Sequence, residues 1–230
     1  MIPILFEDDG IVAVDKPEGL AAIPERRPQG GSLLELLEAR RAEKLYVVHR
    51  IDKETSGLIV FARNAGLHRW LCRQFEGRTV AKTYLALCHG TIADDRGTID
   101  GPLRQFGSGR VGVDTERGKP SVTEFEVRRR LGAFTLVAAY PRTGRRHQIR
   151  VHLYHLGHPI VGDPLYGDKA IQQGFGRLML HAWRLSVPLP SGRTLTLEAP
   201  VPESFAGVLE VGDTTKQPSE PRDAGDGNPA

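Results

Sequence analysis

A carboxylate that follows an apolar strand and has arginines within reach can act as a nucleophile or a base, and Asp52 has that setting. It comes just after Tyr46-Val47-Val48, with Arg50 two residues before it and Arg150 on a helical face expected to be exposed. Such cations would keep the carboxylate ionised. A single Asp ahead of Thr55-Ser56-Gly57 is also the mark of a turn whose amides it accepts, and Arg50 and Arg150 taken singly are ordinary surface charges. Tyr84 is a strand aromatic that either packs or offers a platform for an extruded nucleobase, with its hydroxyl as an acid or base partner.

Histidines at 147, 152, 155 and 158 raise the question of zinc. His147 and His152 diverge on a helix, no carboxylate or Cys ligand shares their spacing, and His158 lies past a Gly157 stop, so no metal is expected. His147 is read as orienting a neighbour, and His152 and His155 as flank or satisfied core positions. The stretch Gly107-Ser108-Gly109-Arg110-Val111-Gly112 matches a dinucleotide fingerprint formally. However, Arg104-Gln105-Phe106 is no buried strand, and Gly118 and Pro120 forbid a long helix behind it. Gly118-Lys119-Pro120 lacks the hydroxyl of a phosphate loop, and no Gly-x-Ser-x-Gly elbow is present, so ATP-driven and serine-hydrolase chemistry lose support.

The elements that must position these residues follow from periodicity. Ile11-Val12-Ala13-Val14 reads as a buried strand, and Ser32 with Glu35 as a capping box opening a helix to about Glu43. Strands at Tyr46-Val47-Val48 and Leu58-Ile59-Val60-Phe61-Ala62 place Asp52 on the loop between them, where a rigid scaffold presents chemistry. Asn64 caps a helix to about Phe75, and Thr79 to Cys88 alternates as a strand. Residues 106–120, Gly-rich and charged, read as a mobile loop. Val122 to Arg130 and Phe134 to Tyr140 form a strand pair. A helix is predicted from about Gly144 to Leu156, packing through Ile149, Leu153 and Leu156 and leaving His147, Arg150 and Tyr154 to act. Strands at Leu178 to Val187 and Thr194 to Glu198 and a short helix at Glu203 to Leu209 complete the pattern.

With 230 residues, 40% of them hydrophobic, the chain can bury one sizeable core, so a single catalytic domain over 1–210 is expected, with a disordered tail at 211–230. The N-terminus has no basic segment followed by a long apolar run, and no stretch is long enough to cross a bilayer, which points to a soluble cytoplasmic protein without a membrane partner. Cys72 and Cys88 share no spacing motif and read as packed thiols. The net charge of +3 divides into −2 for the last twenty residues and +5 for the rest, and 24 of the 31 basic residues are Arg. That bias suits bidentate contact with phosphate, so a nucleic-acid partner is permitted, although solvated Arg on the surface would give the same count.

The run His49-Arg50-Ile51-Asp52-Lys53-Glu54-Thr55-Ser56-Gly57-Leu58 closely resembles the signature of the RluA-type pseudouridine synthases. It is joined in family order by Lys16-Pro17-Glu18-Gly19-Leu20, Lys82-Thr83-Tyr84, Gly144 to Leu153, Gly157 to Asp163, and Leu180-His181-Ala182. The resemblance covers roughly Ile4 to Pro200. It implies an α+β fold with a mixed, mainly antiparallel central sheet flanked by helices and an RNA cleft across its middle. It also implies a cofactor-free isomerisation of uridine in structured rRNA or tRNA. By position, Asp52 resembles the catalytic Asp, Tyr84 the Tyr that stacks on uracil, and Arg150 the Arg that pairs with the Asp. Arg50 resembles the residue that fills the helix as the base leaves. His49, Thr55, Arg145, His147 and Gln148 are expected to contact RNA. Ile51 stands where Leu is usual, which conserves volume, and Asp15 where Asn is common. The chain resembles the compact subtype that begins in the catalytic domain, expected to be a monomer with no obligate protein partner. A non-catalytic RNA-binding module that has kept the fold is the alternative.

Overall fold

The computed structural model describes residues 2–25 and 30–207, so the tail at 211–230 lies outside the described residues. Strand β1 (Ile4–Glu7) turns into β2 (Ile11–Lys16), and α1 (Leu33–Arg41) follows. The capping box forms as read from the sequence: Glu35 N–H donates to Ser32 Oγ at 3.3 Å and Ser32 N–H to Glu35 Oε2 at 2.8 Å. Next come β3 (Tyr46–Val47), β4 (Ser56–Ala62), α2 (Ala65–Glu76) capped by Asn64, β5 (Ala81–His89) and β6 (Arg96–Asp100). The chain continues through β7 (Leu103–Gln105), β8 (Val111–Val113), β9 (Val122–Leu131), β10 (Phe134–Pro141), α3 (Gln148–His155), α4 (Lys169–Gln172), β11 (Leu180–Pro188) and β12 (Thr194–Glu198).

Ten strands form one sheet in the order β1-β2-β4-β11-β5-β10-β9-β6, with β3 added to β4 and β12 to β11. Among the described residues every pairing is antiparallel except β4 with β11. This is the mixed, mainly antiparallel sheet that the family resemblance implies. The unbroken apolar runs of β2 and β4 are explained by helices on both faces. Ile11, Ala13, Leu58 and Val60 pack with Leu71 of α2, while Val12, Val14, Ile59 and Phe61 pack with Leu33 and Leu37 of α1. The other half-sheet packs Leu85, Leu87, Val137 and Ala139 with Ile149 and Leu153 of α3. The halves meet where β4 lies against β11, so closely that a Cβ on Gly57 would stand 2.3 Å from the Ala182 carbonyl oxygen. No helix among the described residues is long and apolar enough to cross a membrane.

Four sequence expectations need correction. The helix predicted over 144–156 is confined to Gln148–His155, because His147 sits in the left-handed region at φ 54° and breaks the spiral. Leu156, expected to pack, is exposed, and Arg150, expected on an exposed face, is fully buried. The segment 106–120 is not simply a loop: its middle, Val111–Val113, returns as β8 against β7, and Arg104 Nη1 binds Asp114 Oδ2 at 3.0 Å. Among the described residues the other non-glycine positions at positive φ are Ala42 and Arg78. Each left-handed residue of this kind costs about 1–2 kcal/mol.

Candidate active site

Asp52 lies within the 48–55 loop between β3 and β4. Its carbonyl accepts from Thr55 N–H at 3.1 Å, which closes the turn, but its carboxylate accepts none of the turn's amides. The loop is fixed from below by Lys16. This fully buried lysine donates from Nζ to the carbonyls of Pro17 at 2.7 Å, Leu20 at 2.8 Å and Lys53 at 3.0 Å. Burial pulls its pKa down to about 8, against the opposing pull of Glu54 and Asp52. Beside it a second buried set holds the start of β4. Arg177 Nη2 donates to Ser56 Oγ at 2.6 Å, Ser56 Oγ meets His181 Nδ1 at 2.9 Å, and Arg177 also pairs with Glu18.

The Asp52 carboxylate opens into a cleft of about 380 Å³ between the two half-sheets, formed by the 48–55 loop, the end of α2, the start of β5 and residues 141–150. Arg150 enters from α3. Its Nε and Nη2 clamp the two carboxylate oxygens of buried Asp163 at 2.8 and 2.7 Å, and Asp163 Oδ1 also accepts from the Leu165 and Tyr166 amides. Burial works against the guanidinium's charge, but the bonds and charge of Asp163 outweigh it and raise the Arg150 pKa above its ordinary value. The remaining nitrogen, Nη1, is buried without a hydrogen-bond partner and lies 3.6 Å from both Asp52 Oδ2 and Glu54 Oε2. The expected Arg150 to Asp52 pairing is therefore present as a long ion pair, while the short bidentate partner is Asp163, which sequence reasoning missed.

Tyr84 lines the same cleft from β5, and burial together with the Asp52 charge pushes its phenol pKa up, so the hydroxyl is neutral. Arg50 is exposed at the rim with no ion pair among the described residues. Thr55 is buried in the cleft wall, and Arg145 stands exposed on it with Nε 3.4 Å from the Pro120 carbonyl. His147 touches the cleft too, its Nδ1 2.9 Å from the Tyr166 hydroxyl, and burial lowers its pKa. Two expected RNA contacts, His49 and Gln148, hydrogen-bond within the protein, His49 through Nε2 alone and Gln148 through both side-chain polar atoms. His49 Nε2 accepts from Val60 N–H at 3.0 Å with its ring stacked on Phe75, and its pKa is pulled down to about 3 by burial. Gln148 Oε1 accepts from Thr143 Oγ1 at 2.6 Å and Arg145 N–H at 3.0 Å, while Nε2 donates to the Val122 carbonyl at 2.9 Å and Thr123 Oγ1 at 3.0 Å. It ties the 143–147 loop to β9. His152 spans Thr123 Oγ1 and the Gly101 carbonyl as a core residue, and no metal-binding cluster occurs among the described residues.

The family model for RNA pseudouridylate synthase matches residues 10–155, a span that contains Asp52, Tyr84 and Arg150. The chain belongs to this family. A synthase described as the dual-specificity RNA pseudouridine synthase RluA of Vibrio vulnificus is 42% identical over 199 residues, covering 84% of this chain and 80% of that protein. The ribosomal large subunit pseudouridine synthase D of Nitrosomonas europaea is 38% identical over 224 residues, covering 91% of this chain, and the chain spans 65% of that protein's length. Among solved structures, human RNA pseudouridylate synthase domain containing 4 superposes with a TM-score of 0.76 at 26% identity, covering 90% of this chain and 92% of that one. The fold of this pseudouridylate synthase chain is thus shared with a solved relative over nearly all of its length.

Proposed function

We propose that this chain converts uridine to pseudouridine in structured RNA, with Asp52 as the catalytic carboxylate. The observation that carries this reading is the carboxylate itself: free of its own turn, it faces a cleft with Tyr84 on the wall and the unpartnered Arg150 Nη1 3.6 Å away. A uridine extruded from a loop would stack on Tyr84, and Arg50 at the rim would occupy the space it leaves. The N1–C1′ bond breaks, the uracil rotates, and a C5–C1′ bond forms. C5 loses a proton and N1 gains one, so atoms balance within the nucleotide and no redox partner is required. Arg150 orients the carboxylate, Thr55 shapes the turn, and Arg145 and His147 border the nucleotide.

The name of one relative supports large-subunit ribosomal RNA as the substrate class and that of another a dual specificity; transfer RNA enters this reading through the motif resemblance. The reading extends to a monomer acting in the cytoplasm over a catalytic domain of residues 1–210. Asp52→Asn tests it: product formation in RNA from cells lacking the gene should fall to background while RNA affinity stays within about threefold of wild type. A wild-type protein that binds RNA yet forms no pseudouridine would instead identify a non-catalytic binding module. Mapping pseudouridines in cells with and without the gene would name the site.

A further inference from the structure

Where α2 ends, β5 begins and residues 141–148 cross, the cleft is lined by Arg142 and by three further cations, Arg78, Lys82 and Arg145. Lys82 Nζ donates to the Thr143 carbonyl at 3.2 Å and would lie 3.9 Å from a Cβ on Gly144, so its ammonium is seated against the loop that carries Arg145. Arg78 is near enough that, after burial, its like charge is what lowers the Lys82 pKa, and no carboxylate opposes it. Among the described residues none of the three has an ion pair, whereas neighbouring Arg142 is neutralised by Glu124. Glu76 borders the same stretch without pairing with any of them. Like charges held together repel, and here half-buried Lys82 faces exposed Arg78, so solvent screens the repulsion only in part.

A second observation comes from the backbone. Arg78 sits just past the end of α2 at φ 59°, immediately after Gly77, which itself is right-handed at φ −71°. Glycine is the usual occupant of a left-handed position after a helix, and it would sit there without strain. The chain instead holds an arginine there, with its side chain on the cleft. Backbone strain retained at a ligand-facing position points to use of the side chain.

We infer that Arg78, Lys82 and Arg145 form an anion subsite that takes one phosphodiester group of the RNA strand next to the nucleotide in the cleft. Two guanidinium forks and one ammonium offer donors to the two non-bridging oxygens of that group and more than neutralise its single charge. The inference rests on the cleft being the nucleotide site, and it assigns a place to the backbone rather than to the base.

The probe is a fluorescent RNA stem-loop with an all-uridine loop, titrated over a salt series against wild type, Arg78→Gly, Arg78→Lys, Lys82→Met and Asp52→Asn. Arg78→Gly should weaken binding by about five- to tenfold at low salt and reduce the log–log salt slope by about one. Its unfolding midpoint should be equal to or above that of wild type, because the strain is relieved. Arg78→Lys should recover part of the affinity, Lys82→Met should reduce the slope similarly, and Asp52→Asn should leave the slope unchanged. Wild-type affinity and slope in both Arg78→Gly and Lys82→Met would overturn the subsite even if pseudouridine forms normally. Absence of pseudouridine with wild-type protein would sink the catalytic reading alone, since the slopes would still decide the subsite.

Discussion

On the two sides of the loop that carries Asp52, polar groups are treated in opposite ways. Behind it, Lys16 reaches three carbonyls, Ser56 is bonded by Arg177 and His181, and His181 Nε2 approaches the Ala199 carbonyl at 3.5 Å. In front of it, Asp52 keeps its carboxylate free of the turn, Arg50 has no ion pair among the described residues, and Arg150 Nη1 is buried without an acceptor. A buried polar group that is satisfied holds structure in place, and one left unsatisfied carries a cost that a ligand can remove. Arg150 belongs to both sides at once: Asp163 fixes two of its nitrogens and leaves the third for the cleft.

Breaking that double role should have the largest effect. Arg150→Met strands the buried Asp163 carboxylate and should destabilise the protein by roughly 3–5 kcal/mol in urea unfolding, with product formation lost. Asp163→Asn in the same background should return much of that stability without activity, which separates anchoring from chemistry. On the satisfied side, Lys16→Met removes the donor to three carbonyls and should cost about 1–3 kcal/mol. It should lower kcat further than stability alone explains, because the Asp52 loop loses its tether.

The pH dependence sharpens the comparison at smaller scale. Burial holds the His181 pKa down to about 4 from an ordinary 6.5. The unfolded chain therefore binds a proton that the folded one refuses. Stability from this group is complete above the unfolded pKa and is lost as pH falls from 6.5 towards 4. Between pH 7 and 5.5 that loss is about 1 kcal/mol, and His181→Gln should flatten it in denaturant titrations at the two pH values. Arg50→Ala, on the open side, should change stability by less than about 0.5 kcal/mol while slowing product formation. A large stability loss would move Arg50 to the structural side.

The sequence made the Asp52 loop, the Ser32 capping box and the sheet class legible because each depends on local patterning or on ordered motifs. It missed what lies across the fold. Arg150 looked exposed because a helical wheel compares a residue only with its own helix, and its burial depends on Asp163 in a separate loop. Gln148 and His49 carried the polar types of RNA contacts, yet their hydrogen bonds turn inward to β9 and β4. The short hairpin of β7 and β8 was hidden by Gly107 and Gly109, which read as loop. Lys16 stood inside a recognised motif, but nothing in its neighbours announced a lysine with no exposed surface.

The parallel contact of β4 with β11 also has a consequence in time. Ser56 and His181, which meet across it, are 125 residues apart. At ribosomal speeds of about 5–20 residues per second, β11 emerges roughly 6–25 s after β4. Through that interval Ser56 and Gly57, the β4 residues that pair with β11, lack their partner strand, while Phe61 and Ala62 at the other end of β4 can already pair with β3. The turn that bears Asp52 is thus made early and locked late, when the second half of the sheet closes on Gly57.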